Sequence, residues 1–190
     1  MMKLDFATLE DWDEELWSRV EPLYLTAFPS GAKPVSILRS MVERKLACLH
    51  IGRSGGEYIA MAITGLGGKD PEQVLIIDYM AVREDHRGQG LGTLFLRQIR
   101  EWAVHSFQLK ALVIEVEAGN SPVHWERVHF WERCGFMLTA YIHQYIWVPE
   151  PYQAMLLPLE PDFMVKDEGQ SLFKAINNFH KVSFRPQKHP

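Results

Sequence analysis

The chain has 190 residues, of which 47% are hydrophobic, 12% aromatic and 23% charged, so it is long enough to bury a core without a disulfide or a metal. Lys and Arg number 20 against 24 Asp and Glu, a net charge of −4, which argues against a nucleic-acid phosphate binder, and no apolar run approaches the ~20 residues of a membrane span. The acidic start Met1 to Asp13 lacks the basic and apolar regions of a signal peptide, and Cys48 and Cys134 form no CxxC pair, which predicts a cytoplasmic protein with reduced thiols and neither a disulfide scaffold nor a zinc ribbon.

Leu4 and Phe6 alternate with polar neighbours as a short strand, and the acidic stretch Glu10 to Glu15 opens a helix reaching toward Phe28. Pro29, Gly31 and Pro34 end it. The i, i+4 pairs Ile37/Met41 and Leu38/Val42 predict a second helix from Val35 to about Ala47. A strand over Cys48 to Ile51, a turn over Gly52 to Gly56, a return strand over Tyr58 to Thr64 and a reversal at Gly65 to Pro71 make a meander. Val74 to Val82 is a long β-rich run. Beyond it, Leu91, Leu94, Phe95, Ile99, Trp102 and Ala103 lie on one helical stripe. Leu109 to Glu117 follows as a strand, Pro122 to Arg133 as a helix, then strands over Phe136 to Trp147 and Ala154 to Leu157. After Pro158 and Pro161, Leu172, Phe173, Ile176 and Phe179 mark one amphipathic helix, which packs either on its own domain or on a second copy in a homodimer. The order β α α β β β α β α β β α is that of a mixed α/β domain.

The segment Arg87-Gly88-Gln89-Gly90-Leu91-Gly92-Thr93 lies between a strand and an amphipathic helix. Its alternating glycines remove side chains where a ligand meets backbone, and the helix start offers N–H groups and partial positive charge to a phosphate or pyrophosphate. A P-loop fails, because Gly68-Lys69 is followed by Asp70. A dinucleotide fingerprint fits poorly, since Thr93 holds its third glycine position and the loop begins five residues after the strand. His124 and His129 fall on different helix faces, so no metal site is expected.

The segment AVREDHRGQGLGTLFL resembles the acyl-CoA-binding segment of the GNAT N-acetyltransferases, with Arg87, Gly90 and Gly92 filling its R/QxxGxG/A pattern. IEVEAGN and FWERCGF are similar to the later signatures of that family and occur in its order. The resemblance implies a single-domain α/β (α+β) GNAT-like fold: a mixed central sheet with a splayed strand pair and flanking helices, here with an extra C-terminal helix. It divides the chain into an acyltransferase domain over 1–157 and an extension over 158–190. It also implies acetyl-CoA as cosubstrate and a primary amine as acceptor, joined by direct attack in a ternary complex. By the same resemblance, Gly88 to Thr93 (with Gln89 and Leu91) wrap the pyrophosphate, Arg87 supports the phosphates, the backbone of Met80, Ala81 and Val82 pairs with pantetheine, and Asn120 reaches the pantetheine arm. An N–H near Ala81 or Val82 would stabilise the oxyanion.

Glu115, five residues before Asn120, stands at the strand end where some family members carry a catalytic glutamate, and Glu117 or Asp78 could substitute for it. Trp131 stands beside the cofactor where many relatives place a tyrosine, so the proton donor falls to Tyr141, Tyr145, Cys134 or water. Tyr24 and Phe28 on the first helix, with Asp78, are the candidates for the acceptor groove. The acceptor stays open between peptide N-terminus, lysine side chain, polyamine and aminoglycoside. The alternative function is a CoA-binding sensor or interaction module that has lost catalysis.

Overall fold

Element boundaries in the computed structural model follow from capping and alternation over residues 4–185, which it describes. Residues 1–3 and 186–190, the outer ends of the two expected segments, lie outside the described residues. The chain runs β1 (Asp5–Leu9), α1 (Glu14–Ala27), α2 (Val35–Glu43), β2 (Ala47–Ser54), β3 (Glu57–Gly67), β4 (Val74–Val82), α3 (Leu91–Ser106), β5 (Ala111–Glu117), α4 (Pro122–Arg133), β6 (Met137–Gln144), β7 (Pro151–Pro158) and α5 (Gln170–Ser183). This is the order expected from sequence, with a 3-10 turn at Glu84–His86 between β4 and α3. The strands hydrogen-bond in the order β1-β2-β3-β4-β5-β7-β6. The ladders β1/β2, β2/β3, β5/β7 and β6/β7 are antiparallel, and β4/β5 is parallel, where Val74 to Ile76 meet Ala111 to Val113.

Two compact units share the chain, with β3, β4, α3 and α5 each contributing residues to both. The first holds β1 to β3 as far as Gly65, β4 from Ile77, α3 to Trp102 and the end of α5 from His180. Here Asp13 caps α1 by accepting the Leu16 N–H at 2.9 Å, and Trp17, Val20 and Tyr24 line the buried stripe of the helix. α2 stops at Glu43, short of the expected Ala47. The Leu46 N–H reaches the Met41 carbonyl at 2.8 Å and the Lys45 N–H reaches Val42 at 2.9 Å, closing the helix around Lys45 at φ 58°. That closure ordinarily takes glycine. Lys45 is held in it by its ammonium, which bonds the Glu10 carbonyl at 2.8 Å and pairs with Asp11. His50 lies fully buried between Thr8 (2.8 Å) and Thr64 (2.7 Å) and against Phe6 and Trp102, and burial pushes its pKa down to about 3.

The second unit holds Leu66–Ile76 and Ala103–Phe179. β7 lies between β5 and β6 and pairs with every residue of β5. α4 closes at Gly135 (φ 92°): the Phe136 N–H bonds the Trp131 carbonyl at 3.0 Å, the Gly135 N–H bonds Glu132 at 2.9 Å, and the Trp131 and Phe136 rings lie 5.1 Å apart. The FWERCGF motif is therefore a helix stop with its customary apolar clasp. On α5, Leu172, Phe173, Ile176 and Phe179 are each 5% exposed or less. The apolar stripe of the tail is thus buried within its own chain.

Candidate active site

The glycine loop is held in the first unit by its flanks. Arg83 pairs with Glu57 and Asp85, each at 2.7 Å, and its N–H bonds the Ile59 carbonyl at 2.8 Å. Hydrogen bonds from Arg83 and His86 hold the Asp85 carboxyl down at about 2. The Arg87 Nε donates to the Val82 carbonyl at 3.0 Å, so this side chain folds back on the end of β4. Gly88 and Gly90 take φ 75° and 76°, a conformation in which a Cβ is strained, and a Cβ built on either would meet no protein atom within 4 Å. The Leu94 N–H bonds the Gly90 carbonyl at 3.0 Å, which makes Gly90 the N-cap of α3. Helix geometry then leaves the Leu91 and Gly92 N–H groups without carbonyls inside the helix. Bare backbone and an open approach suit a diphosphate. Gln89 and Thr93 are exposed, and Gln89 Nε2 donates to the Asp85 carbonyl at 3.3 Å.

On β4, Ala81 is 7% exposed, with Met80 and Val82 half-buried. Asp78 is spoken for. Lys33, from the α1–α2 connection, places its Nζ 2.7 Å and 2.6 Å from the two carboxylate oxygens, with both side chains at 6% exposure or less. Around this pair, the Lys33 N–H donates to the Tyr79 hydroxyl (3.1 Å), the Tyr79 hydroxyl to the Gly31 carbonyl (2.7 Å) and the Tyr24 hydroxyl to the Lys33 carbonyl (3.1 Å), while His180 Nδ1 lies 3.4 Å from Nζ. Burial raises the Tyr24 phenol to about 12. Tyr24 is 1% exposed and stacks edge-on with Tyr79, so it is part of the core, whereas Phe28 beside it is half-buried.

In the second unit, the Tyr145 hydroxyl donates to Glu115 Oε2 at 2.6 Å. Glu115 is half-buried on β5 and Tyr145, just past β6, is 7% exposed. Tyr141 stands two places away from His143, its hydroxyl 3.4 Å from His143 Nδ1 and its ring 5.8 Å from Phe173. His143 in turn stacks on Phe173 at 4.5 Å, touches the Tyr145 ring at 4.6 Å and lies 3.3 Å from the Asn177 amide. Glu117 is exposed, 3.8 Å from Arg127. Asn120 is exposed just ahead of Ser121, which caps α4 through the His124 N–H at 3.2 Å. Trp131 is 7% exposed, its ring against Phe130 and Phe136.

The model of the acetyltransferase (GNAT) family matches residues 8–136, more than half of the chain. The chain belongs to the GNAT family. No curated protein matches it. Among solved structures, a GNAT-family protein from Bacteroides thetaiotaomicron superposes with a TM-score of 0.71 at 17% identity, covering 96% of this chain and 99% of that one. A Bacillus subtilis acetyltransferase in complex with CoA gives 0.59 at 20% identity, covering 83% and 100%. Arabidopsis thaliana Naa50, bound to the bisubstrate analogue CoA-Ac-MVNAL, gives 0.61 at 14% identity, covering 80% and 97%. These likenesses show the GNAT fold.

Among the described residues, no group of three His, Cys, Asp or Glu side chains could hold a metal ion, and no helix is long and apolar enough to cross a membrane. Reading the sequence missed Lys33 and His143. Lys33 carries no local signal, being one lysine beside a proline and 45 residues from its partner. His143 had one: it falls between Tyr141 and Tyr145 in a period-two row on one face of a strand.

Proposed function

We propose that this GNAT protein transfers an acetyl group from acetyl-CoA to a primary amine by direct attack in a ternary complex. The Tyr145–Glu115 hydrogen bond supports this reading most, because it joins an acid and a base at the strand end where the family resemblance expects the base. Acetyl-CoA supplies the activated acyl group as a thioester. The N–H groups at the start of α3 and the bare backbone of Gly88 and Gly90 bind its diphosphate, with Arg87 beside them, and Met80 to Val82 offer main-chain pairing to the pantetheine. Asn120, exposed ahead of α4, meets the pantetheine arm.

Glu115 takes a proton from the acceptor ammonium, directly or through water, and releases it to solvent; the neutral amine then attacks the thioester carbonyl carbon, and Glu115 takes the second nitrogen proton as the amide forms and the C–S bond breaks. Tyr145 gives its hydroxyl proton to the departing sulfur and recovers one from Glu115 across the same 2.6 Å bond, which returns both groups to their starting state. Trp131, at the position of the missing tyrosine, is occupied as an apolar clasp on α4, and Tyr145 supplies the phenol in its place. Tyr141 stands behind it, beyond His143. Phe28 lines the acceptor side.

Calorimetric titration with acetyl-CoA tests the cofactor half of the proposal: a folded sample that binds nothing at hundreds of micromolar overturns it. Thiol release with a panel of primary amines tests the chemistry. Tight CoA binding without turnover of any amine would instead favour the sensor.

A further inference from the structure

Two large apolar side chains in the β6–β7 connection stand almost wholly in solvent: Ile146 is 97% and Trp147 76% exposed. The connection is built rather than loose. One amide nitrogen, Gln144 Nε2, donates to the carbonyls of Val148 (2.8 Å), Tyr145 (3.3 Å) and Pro149 (3.3 Å). Single exposed hydrophobic residues are common, so it is the position of this pair that carries information. The Trp147 ring lies 5.5 Å from the Tyr145 ring at a shallow 31° tilt, and Tyr145 is the residue whose hydroxyl meets Glu115. Tyr152, 5.5 Å from Tyr145, extends the same aromatic surface. An exposed indole is thus one phenol ring away from the Glu115 carboxylate, a span that one small molecule or one residue can bridge.

The charge along this surface is negative. Glu115 and Glu117 point to the same side of β5, and in the β5/β7 register Glu117 stands opposite Tyr152. Burial, then the carboxylates of Glu117, Glu115 and Glu150, push the Tyr152 phenol up, with Arg127 acting against them. A protonated amine is drawn to such a place, and an anionic acceptor is repelled.

We infer that the acceptor is a cationic primary amine with an aromatic or branched apolar group a few bonds from its nitrogen, the ammonium held beside Glu115 and the apolar group laid on Trp147. The inference rests on the reading of Glu115 as the base. Arylalkylamines and polypeptide chains beginning with a large apolar residue share this chemistry. Polyamines and aminoglycosides, cationic but without an apolar group, do not.

The experiment is steady-state thiol release by the full chain, after calorimetry has established acetyl-CoA binding. Phenethylamine and tryptamine are compared with ethanolamine and putrescine, and a peptide beginning with Phe with one beginning with Ser. The apolar member of at least one set is expected to exceed its polar counterparts about tenfold in kcat/KM, chiefly through KM, and the set in which it does so identifies the source. Trp147→Ala removes a surface side chain and should fold; it is expected to lower kcat/KM for the preferred substrate about tenfold and bring the apolar-to-polar ratio toward one. Equal or better turnover of the polar members, an unchanged ratio in W147A, or no turnover of any amine overturns the inference. Absence of acetyl-CoA binding, by contrast, would overturn the proposed function itself.

Discussion

Asp78 on β4 and Glu115 on β5 are both carboxylates on strands of one sheet, yet the protein treats them oppositely. The Asp78 side chain is 3% exposed, and a lysine ammonium lies within 2.7 Å of both its oxygens. Removing either partner of such a buried ion pair leaves the other charge uncompensated. Glu115 is half-buried and takes a neutral phenol as partner at 2.6 Å. The Lys33–Asp78 pair is enclosed by the Tyr79 and Tyr24 hydroxyls, whereas the Tyr145–Glu115 pair is a short hydrogen bond between strand ends. Residue type alone does not separate these roles; the partner does. Asp78 ties the α1–α2 connection to β4, and Glu115 is the carboxylate to which the proposed mechanism gives the base role.

The largest effect expected from this contrast is on stability. Lys33→Met should destabilise the fold by about 3–5 kcal/mol, read from the urea midpoint, while Lys33→Met with Asp78→Leu should recover most of that loss. Undiminished turnover by the double variant would confine Asp78 to a structural role; a folded but inactive double variant would move the base to β4. Next in size, Glu115→Gln should lower kcat about a hundredfold, with acetyl-CoA affinity unchanged by calorimetry. Equal activity would erase the distinction between the two carboxylates.

A third buried titratable group sharpens the comparison from the side of stability. The folded pKa of His50, about 3, lies below its ordinary 6.5, so the unfolded chain binds the proton first. The associated stability is complete above pH 6.5 and drains as pH falls toward 3, about 2–3 kcal/mol being lost by a pH of about 4.5. Melting curves against pH should show this slope in the native chain and a flatter one in His50→Gln. The smallest effect concerns the glycine loop. Gly90→Val faces no clash within the protein, so the cost to folding should be only the ~1–2 kcal/mol of a strained φ, while acetyl-CoA affinity falls about tenfold or more. Unchanged affinity would make the loop a turn and nothing else.

What the sequence made legible was local. The glycine loop could be read because a sharp passage from strand to helix calls for glycine at particular places, and Gly88 and Gly90 do take positive φ. Element order was legible from periodicity, and α4 was bounded at both ends by its own residues, Ser121 and Gly135. The end of α2 was not, because Lys45 takes a place that ordinarily signals itself by glycine and is held there by contacts more than thirty residues back in the chain. The partners of the two carboxylates were illegible for the same reason. Tyr145 lies 30 residues from Glu115 and Lys33 lies 45 from Asp78, and strand pairing and loop docking, rather than spacing, bring them together.

The place of β7 between β5 and β6 has a practical consequence. The family match ends at Phe136, before β6 begins, so a recombinant fragment trimmed to residues 8–136 would keep the glycine loop but discard both the phenol that meets Glu115 and the strand that pairs with all of β5. With that side of β5 stripped, seven residues rich in valine and isoleucine would present unsatisfied main-chain groups to any neighbouring molecule, an invitation to aggregate in the expression host. Useful expression boundaries therefore lie beyond α5.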